Sequence, residues 1–217
     1  MNYKFLGRLA GVVGALAITA GLAGCMDVNA EIEVLSATAG KATTSMTIGA
    51  DFYPMIKQMA ASGDASTKSE PFCGKEGEKL TENADGSATC VTVKEGELAA
   101  LTAGEDGGPS DDASFTEVSP GVIRVAFKTS DMKSQVAEGA GGGAETDKAQ
   151  ADQAMAMIKP YFEGHKISIT IKGKKITETN MTASGDNTSA TTEIPFNDLL
   201  DGKATVPDEL YAIVDTN

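Results

Sequence analysis

The chain has 217 residues, with 31 acidic against 18 basic side chains and a net charge of −13 at pH 7. A surface this acidic repels phosphate backbones and anionic headgroups, which argues against nucleic acid as a partner and against electrostatic docking to a membrane. One histidine and no tryptophan exclude a histidine-rich metal centre and leave a lean stacking platform for carbohydrate. In chain order, residues 1–24 carry Lys4 and Arg8, no acidic residue, and an apolar run from Leu9 to Gly21. That is the layout of a secretory signal peptide. The run falls short of the about 20 apolar residues that a membrane-spanning helix needs.

The tetrad Leu22-Ala23-Gly24-Cys25 closes this segment. It resembles the lipobox of bacterial lipoproteins, in which the cysteine is thioether-linked to diacylglycerol and becomes the first residue after cleavage. The resemblance implies that Cys25 is a lipid anchor carrying acyl chains such as palmitate, and that the protein is exported and held on the extracytoplasmic face of a bacterial membrane. Met26, in place of an aspartate after the cysteine, implies the outer membrane in a diderm host. Loss of Lys4 and Arg8 with the signal leaves 16 basic against 31 acidic side chains, a net of −15.

In the mature chain, Val28, Ala30, Ile32 and Val34 alternate with polar residues, Ala39-Gly40-Lys41 supplies a turn, and Met46 and Ile48 alternate again. This predicts a hairpin over 27–36 and 41–50. In DFYPMIKQMAAS, Phe52, Met55, Ile56 and Met59 fall at i, i+3, i+4 and i+7, the stripe of a short amphipathic helix. Cys73 and Cys90 flank a second hairpin pattern, GEKLTEN rising, ADGS turning and ATCVTV returning. Export permits a structural disulfide between them; zinc is the rival, with two lone cysteines and no neighbouring histidine.

EGELAALTAG reads as a short helix and EDGGPSDDAS as an acidic loop; Ser119-Pro120-Gly121 turns a hairpin of 115–118 and 122–128. A Gly-rich flexible break lies near 138–146, and after it Ala151, Ala154, Met155, Ile158, Tyr161 and Phe162 form a second helical stripe that Pro160 should end or bend near Lys159. Ile167, Ile169 and Ile171 alternate, Gly173 breaks the strand, the pattern resumes over 175–181, SGDN turns it, and 188–194 returns as a third strand. The expected class is α+β, a mainly antiparallel sheet built from hairpins with two amphipathic helices.

The lipobox cysteine followed at once by a hairpin, Phe72-Cys73, Cys90 after Gly86-Ser87-Ala88, the segment ITIKGKKITETN and the following GDNTSATTEIP together resemble the LppM-type bacterial lipoproteins. The resemblance spans most of residues 25–217. It implies an envelope-anchored α+β domain, non-enzymatic, that holds a lipid or glycolipid, and it supplies no catalytic residues. Such a ligand requires an apolar cleft, whose candidate walls are Phe52, Met55, Ile56 and Met59 on one helix and Met155, Ile158, Tyr161 and Phe162 on the other. Ordinary core packing competes with that role at each position.

Other chemistry finds little support. His165 stands alone at a predicted strand end, and no serine is flanked as Gly-x-Ser-x-Gly. LSATAGKATT lacks the first glycine and the Ser or Thr of a P-loop, because Leu35 and Ala42 stand there. TENADGSATCVT has Thr92 where a calcium loop needs its bidentate acid. Met155 and Met157, at i and i+2, do not share the helical face that a copper(I) pair would need. The expectation is therefore no cofactor and no metal. The alternatives to a ligand-binding lipoprotein are an envelope assembly protein without a small ligand and, less favoured, a hydrolase with paired carboxylates.

Overall fold

The computed structural model describes residues 26–62, 72–75, 77–101, 113–129, 156 and 159–217. The predicted signal peptide, Cys25, the Gly-rich segment, and Met155 and Ile158 of the second predicted stripe lie outside the described residues, as do the side chains of Met59 and Tyr161.

The first hairpin forms where alternation predicts it, but its turn is displaced: β1 (Met26–Val34) pairs antiparallel with β2 (Ala39–Ile48), from Met26↔Ile48 to Val34↔Gly40, so Ala39-Gly40-Lys41 lie in the strand and the turn falls at residues 35–38. Leu35 lies in the hairpin turn, where its N–H donates to the Ala39 carbonyl, so LSATAGKATT is strand-turn-strand and no phosphate loop. Helix α1 (Tyr53–Ser62) follows, then β3 (Glu78–Glu82) and β4 (Ala88–Glu97), joined at Asn83–Ser87. Asp85 accepts from both the N–H and the hydroxyl of Ser87 there, and Gly86 takes the positive φ of 89° that the turn requires. The disulfide Cys73–Cys90, with Cα atoms 5.6 Å apart, ties the segment before β3 to β4.

Helix α2 (Leu98–Leu101) buries both leucines over Gly40. The hairpin β5 (Ala113–Ser119) and β6 (Val122–Lys128) turns through Gly121. A 3-10 turn at Lys159–Phe162, where Pro160 has no N–H for a continuing helix, leads into β7 (Lys166–Lys172), β8 (Lys175–Thr179), β9 (Thr182–Ala183) and β10 (Ser189–Pro195). Helix α3 (Phe196–Leu200) and β11 (Glu209–Asp215) complete the chain.

Eleven strands among the described residues form two sheets, ordered β3-β4-β2-β1-β7-β10-β9 and β5-β6-β11-β8. Every pairing is antiparallel except β1 with β7, which run parallel from Val28↔Ile167 to Glu33↔Lys172. The α+β class stands. One shared core holds Val28, Ile32, Ile167, Ile171 and Ile194 of the larger sheet with Ile123, Val125, Leu210 and Val214 of the smaller. The outer face of the larger sheet carries cross-strand polar pairs instead: Thr47 with Thr89, Thr170 with Thr191, Lys172 with Glu31 and Lys166 with Glu193.

The sequence pattern gives three strands over 166–194 without their partners, and the structure supplies the pairing. β10 pairs with β7, whereas β8 leaves for the smaller sheet and pairs with β11. The crossing point is Gly173, where a Cβ would stand 2.2 Å from Val214 Cγ1. No side chain fits between the sheets there, so the chain can pass from one to the other only at a glycine. The central strand β11 and helix α3 have no counterpart in the predicted elements.

Candidate functional site

Met26, covalently next to Cys25, is paired in β1 and buried in the core. Asp27 locks this first turn of strand in place. Its carboxylate accepts from the Lys166 N–H at 3.1 Å and lies 3.3 Å from His165 Nδ1, so the starts of the parallel neighbours β1 and β7 are joined. His165 is thus a hydrogen-bonded strand-end histidine, as its position suggests.

Elements of four further segments meet at the same end of the larger sheet. β2 ends at Ile48 opposite Met26, and the chain turns at Gly49, whose carbonyl accepts from the N–H groups of Phe52 and Tyr53. Tyr53 and Ile56, at i and i+3, bury the inner face of α1, Phe52 is half-buried against the core, and Met55 is 45% exposed. Met55 is therefore no wall of an enclosed cleft. Of the stripe predicted from Phe52, Met55, Ile56 and Met59, Ile56 points inward, but at the start Tyr53 is buried in place of Phe52, which is half-buried, and Met55 faces out.

The phase has a visible cause. Tyr53 donates its hydroxyl to Glu82 Oε1 at 2.7 Å, Lys57 donates to the same oxygen at 2.7 Å, and Phe72 meets the Tyr53 ring edge-on at 6.4 Å. The Lys57 and Tyr53 hydrogen bonds hold the Glu82 carboxyl below its ordinary 4.5, and the same contact raises the Tyr53 phenol above its ordinary 10.0. A carboxyl depressed in the folded state contributes stability that is present above its unfolded pKa and is lost as pH falls through the folded one. Thermal unfolding followed from neutral pH to about pH 3 should show Glu82→Gln less stable than the parent at neutral pH, with the gap closing in acid. A gap that does not change with pH would mean that the glutamine loses packing rather than charge.

The disulfide adjoins this cluster. Glu78 Oε2 accepts from the Gly74 and Lys75 N–H groups at 2.8 and 2.9 Å, closing the loop that carries Cys73. Cys73, Glu78 and Cys90 bring potential ligand atoms within 4.8 Å of one another, but both sulfurs are spent in the bridge and offer no thiolate to a zinc ion. On the far side of β1, Phe162 is buried with its ring 5.4 Å from that of Phe196, and the Phe196 N–H donates to the His165 carbonyl. Lys159 and Lys203 both bond Asp201 at the end of α3.

Of the eight predicted cleft residues, the structure thus brings Phe52, Ile56 and Phe162 to one end of the sheet and into or against the core. Met155 and Ile158 lie outside the described residues, with the side chains of Met59 and Tyr161. Among the described carboxyl groups, each resolved shift is downward: Glu82, Asp85, Asp186, Asp201 and Asp215 are all held as anions by hydrogen bonds from neighbours. No helix among the described residues is long and apolar enough to cross a membrane.

The chain is similar in structure to the folded domain of Mycobacterium tuberculosis LppM, solved by NMR, at 8% identity and a TM-score of 0.44 over 88% of this chain and 90% of that one. That likeness is too distant to carry a site or a ligand across. No family model matches the chain, and no curated protein matches it.

Proposed function

We propose that this chain is a non-enzymatic envelope lipoprotein, held on the outer side of a bacterial membrane by acyl chains on Cys25, whose domain binds a lipid or glycolipid at that surface. The observation that carries the reading is the junction at residues 25 and 26: Met26, covalently next to the cysteine of Leu22-Ala23-Gly24-Cys25, is already a buried residue of β1 (Met26–Val34). A positive segment, an apolar run and a lipobox in that order precede it. Each acyl methylene buried in a bilayer contributes about 0.8 kcal/mol, so two or more chains hold the domain almost irreversibly. The lipid ligand draws support from the half-buried Phe52 and the exposed Met55, which follow the end of β2 opposite Met26.

Two measurements test the two halves of the proposal. Cells grown with an alkyne analogue of palmitate should label the parent chain and leave Cys25→Ser unlabelled, with the variant moving from the detergent to the aqueous phase on partitioning. Equal labelling of both would refute the anchor. Native mass spectrometry of residues 26–217 purified from the host should show a stoichiometric lipid adduct. A clean apo mass that persists after incubation with total host lipid would refute the ligand and turn the search to protein partners.

A further inference from the structure

We propose that the domain stands end-on against the bilayer, with the start of α1 (Phe52, Pro54 and Met55) resting in the headgroup region. This orientation rests on the anchor proposed above and goes beyond it. An acylated Cys25 leaves no linker, because Met26 is already a buried strand residue hydrogen-bonded into a seven-stranded sheet. The domain therefore cannot drift from the membrane by more than one residue's reach. Whatever surrounds Met26 must lie at the lipid surface.

What surrounds it is the end of the sheet where β1 and β7 begin and β2 and β10 finish. There the chain leaves Ile48, turns at Gly49 and enters α1, placing exposed Pro54 and the 45% exposed Met55 beside half-buried Phe52. The other large apolar side chains exposed among the described residues, Leu35, Leu80, Val93 and Val118, stand apart on other elements. An aromatic ring beside Pro54 and Met55 at a helix start is an apolar tip of the kind that sits in an interface. Met55, facing out from the core, thereby acquires a surface it can bury against.

Lying flat is the competing geometry, and charge opposes it. The outer face of the larger sheet presents Glu31, Lys172, Lys166 and Glu193 as ion pairs among Thr side chains, and pressing it on lipid would desolvate them. With a mature net charge of −15, the body gains by pointing into water. The nine residues of β1 then set Leu35, just past its far end, roughly 30 Å from the anchor at about 3.3 Å per residue.

The chain has no tryptophan, so a single introduced one is a clean reporter. Met55→Trp and Leu35→Trp, both at exposed positions, are made in the full lipidated protein and reconstituted in phosphatidylcholine vesicles whose acyl chains are brominated near the glycerol. Met55→Trp should be quenched at least about threefold more strongly than Leu35→Trp and should emit further to the blue. The mass of the N-terminal peptide is read on the same samples. Acylated protein with equal quenching, or with stronger quenching at Leu35→Trp, overturns the orientation alone. Absence of the acyl mass on Cys25 overturns the anchor, and the orientation with it.

Discussion

Replacing Gly173 with alanine should destabilise the protein by about 3 kcal/mol, the upper end of what overpacking a core costs. An added Cβ would stand 2.2 Å from Val214 Cγ1 and 3.4 Å from the Val34 carbonyl oxygen. Neither neighbour can withdraw. Val214 is fully buried in the central strand of the smaller sheet, its β-branched side chain has one favoured rotamer, and its backbone is paired with β6 on one side and β8 on the other. Val34 closes β1 against Gly40. The two sheets must therefore part locally, and their separation is fixed by every other core contact.

For a domain of this size each kcal/mol lowers Tm by about 2–4 °C, so Gly173→Ala should melt about 6–12 °C below the parent. A double-mutant cycle identifies the cause. Val214→Ala alone leaves a void and costs stability, but in the Gly173→Ala background it removes the clashing methyl, so the double variant should be more stable than the sum of the single losses by about 1 kcal/mol or more. Strict additivity would mean that the crossing tolerates a side chain and that the glycine serves something else. A thermal melt by circular dichroism on four proteins decides it.

The contrast between what could be read at residues 166–194 and what could not has a physical basis. Alternation of Ile167, Ile169 and Ile171 with polar residues specifies which face of a strand is buried, and each of these strands does bury that face. It does not specify which sheet the strand joins, because both sheets contribute to one core. Gly173 carried that information, but a glycine reads as a break until the atom that excludes a Cβ is known. β11 was hidden for a related reason: Tyr211 and Ile213, on its outer face, are themselves apolar in body, so ELYAIVD shows weak period-2 contrast. On that face Arg124 stacks 4.6 Å over the Tyr211 ring while the hydroxyl of Tyr211 donates to Glu178, contacts that join three strands and leave no trace in a linear pattern.

The hairpins were legible because strict alternation meets a turn residue with a defined role, as at Gly86 and Gly121. The end of the larger sheet at Met26 was legible only in part. The apolar run and the cysteines are local signals, whereas Asp27 and His165 stand 138 positions apart and meet because β1 and β7 are parallel. The helix phase at the start of α1 needed the Tyr53–Glu82 contact, 29 positions apart. Local periodicity allowed either Phe52 or Tyr53 to point inward, and a hydrogen bond across the fold made the choice.

Removal of the Cys73–Cys90 bridge, by reduction or as Cys73→Ala with Cys90→Ala, should cost about 3 kcal/mol and lower Tm by a further margin of about 6–12 °C. The bridge spans a sequence separation of 17, and that loop is the one through which β3 is attached. β3 lies at the edge of the sheet, pairs only with β4, and exposes four of its five residues, so burial holds it weakly. Glu78 fastens the loop by two backbone hydrogen bonds, and Glu82 ties the far end of the strand to α1. With the sulfurs separated, the one ladder to β4 and these exposed polar contacts must hold β3. Amide exchange should therefore accelerate first in residues 78–82 and in their β4 partners, while β1 and β7, paired on both edges, keep their protection. Uniform loss of protection across both sheets would instead make the bridge a constraint on the whole unfolded chain. Loss confined to β3, β4 and the first turn of α1 would show that it holds the strand against which Tyr53 and Lys57 are oriented, and with them the exposed Met55.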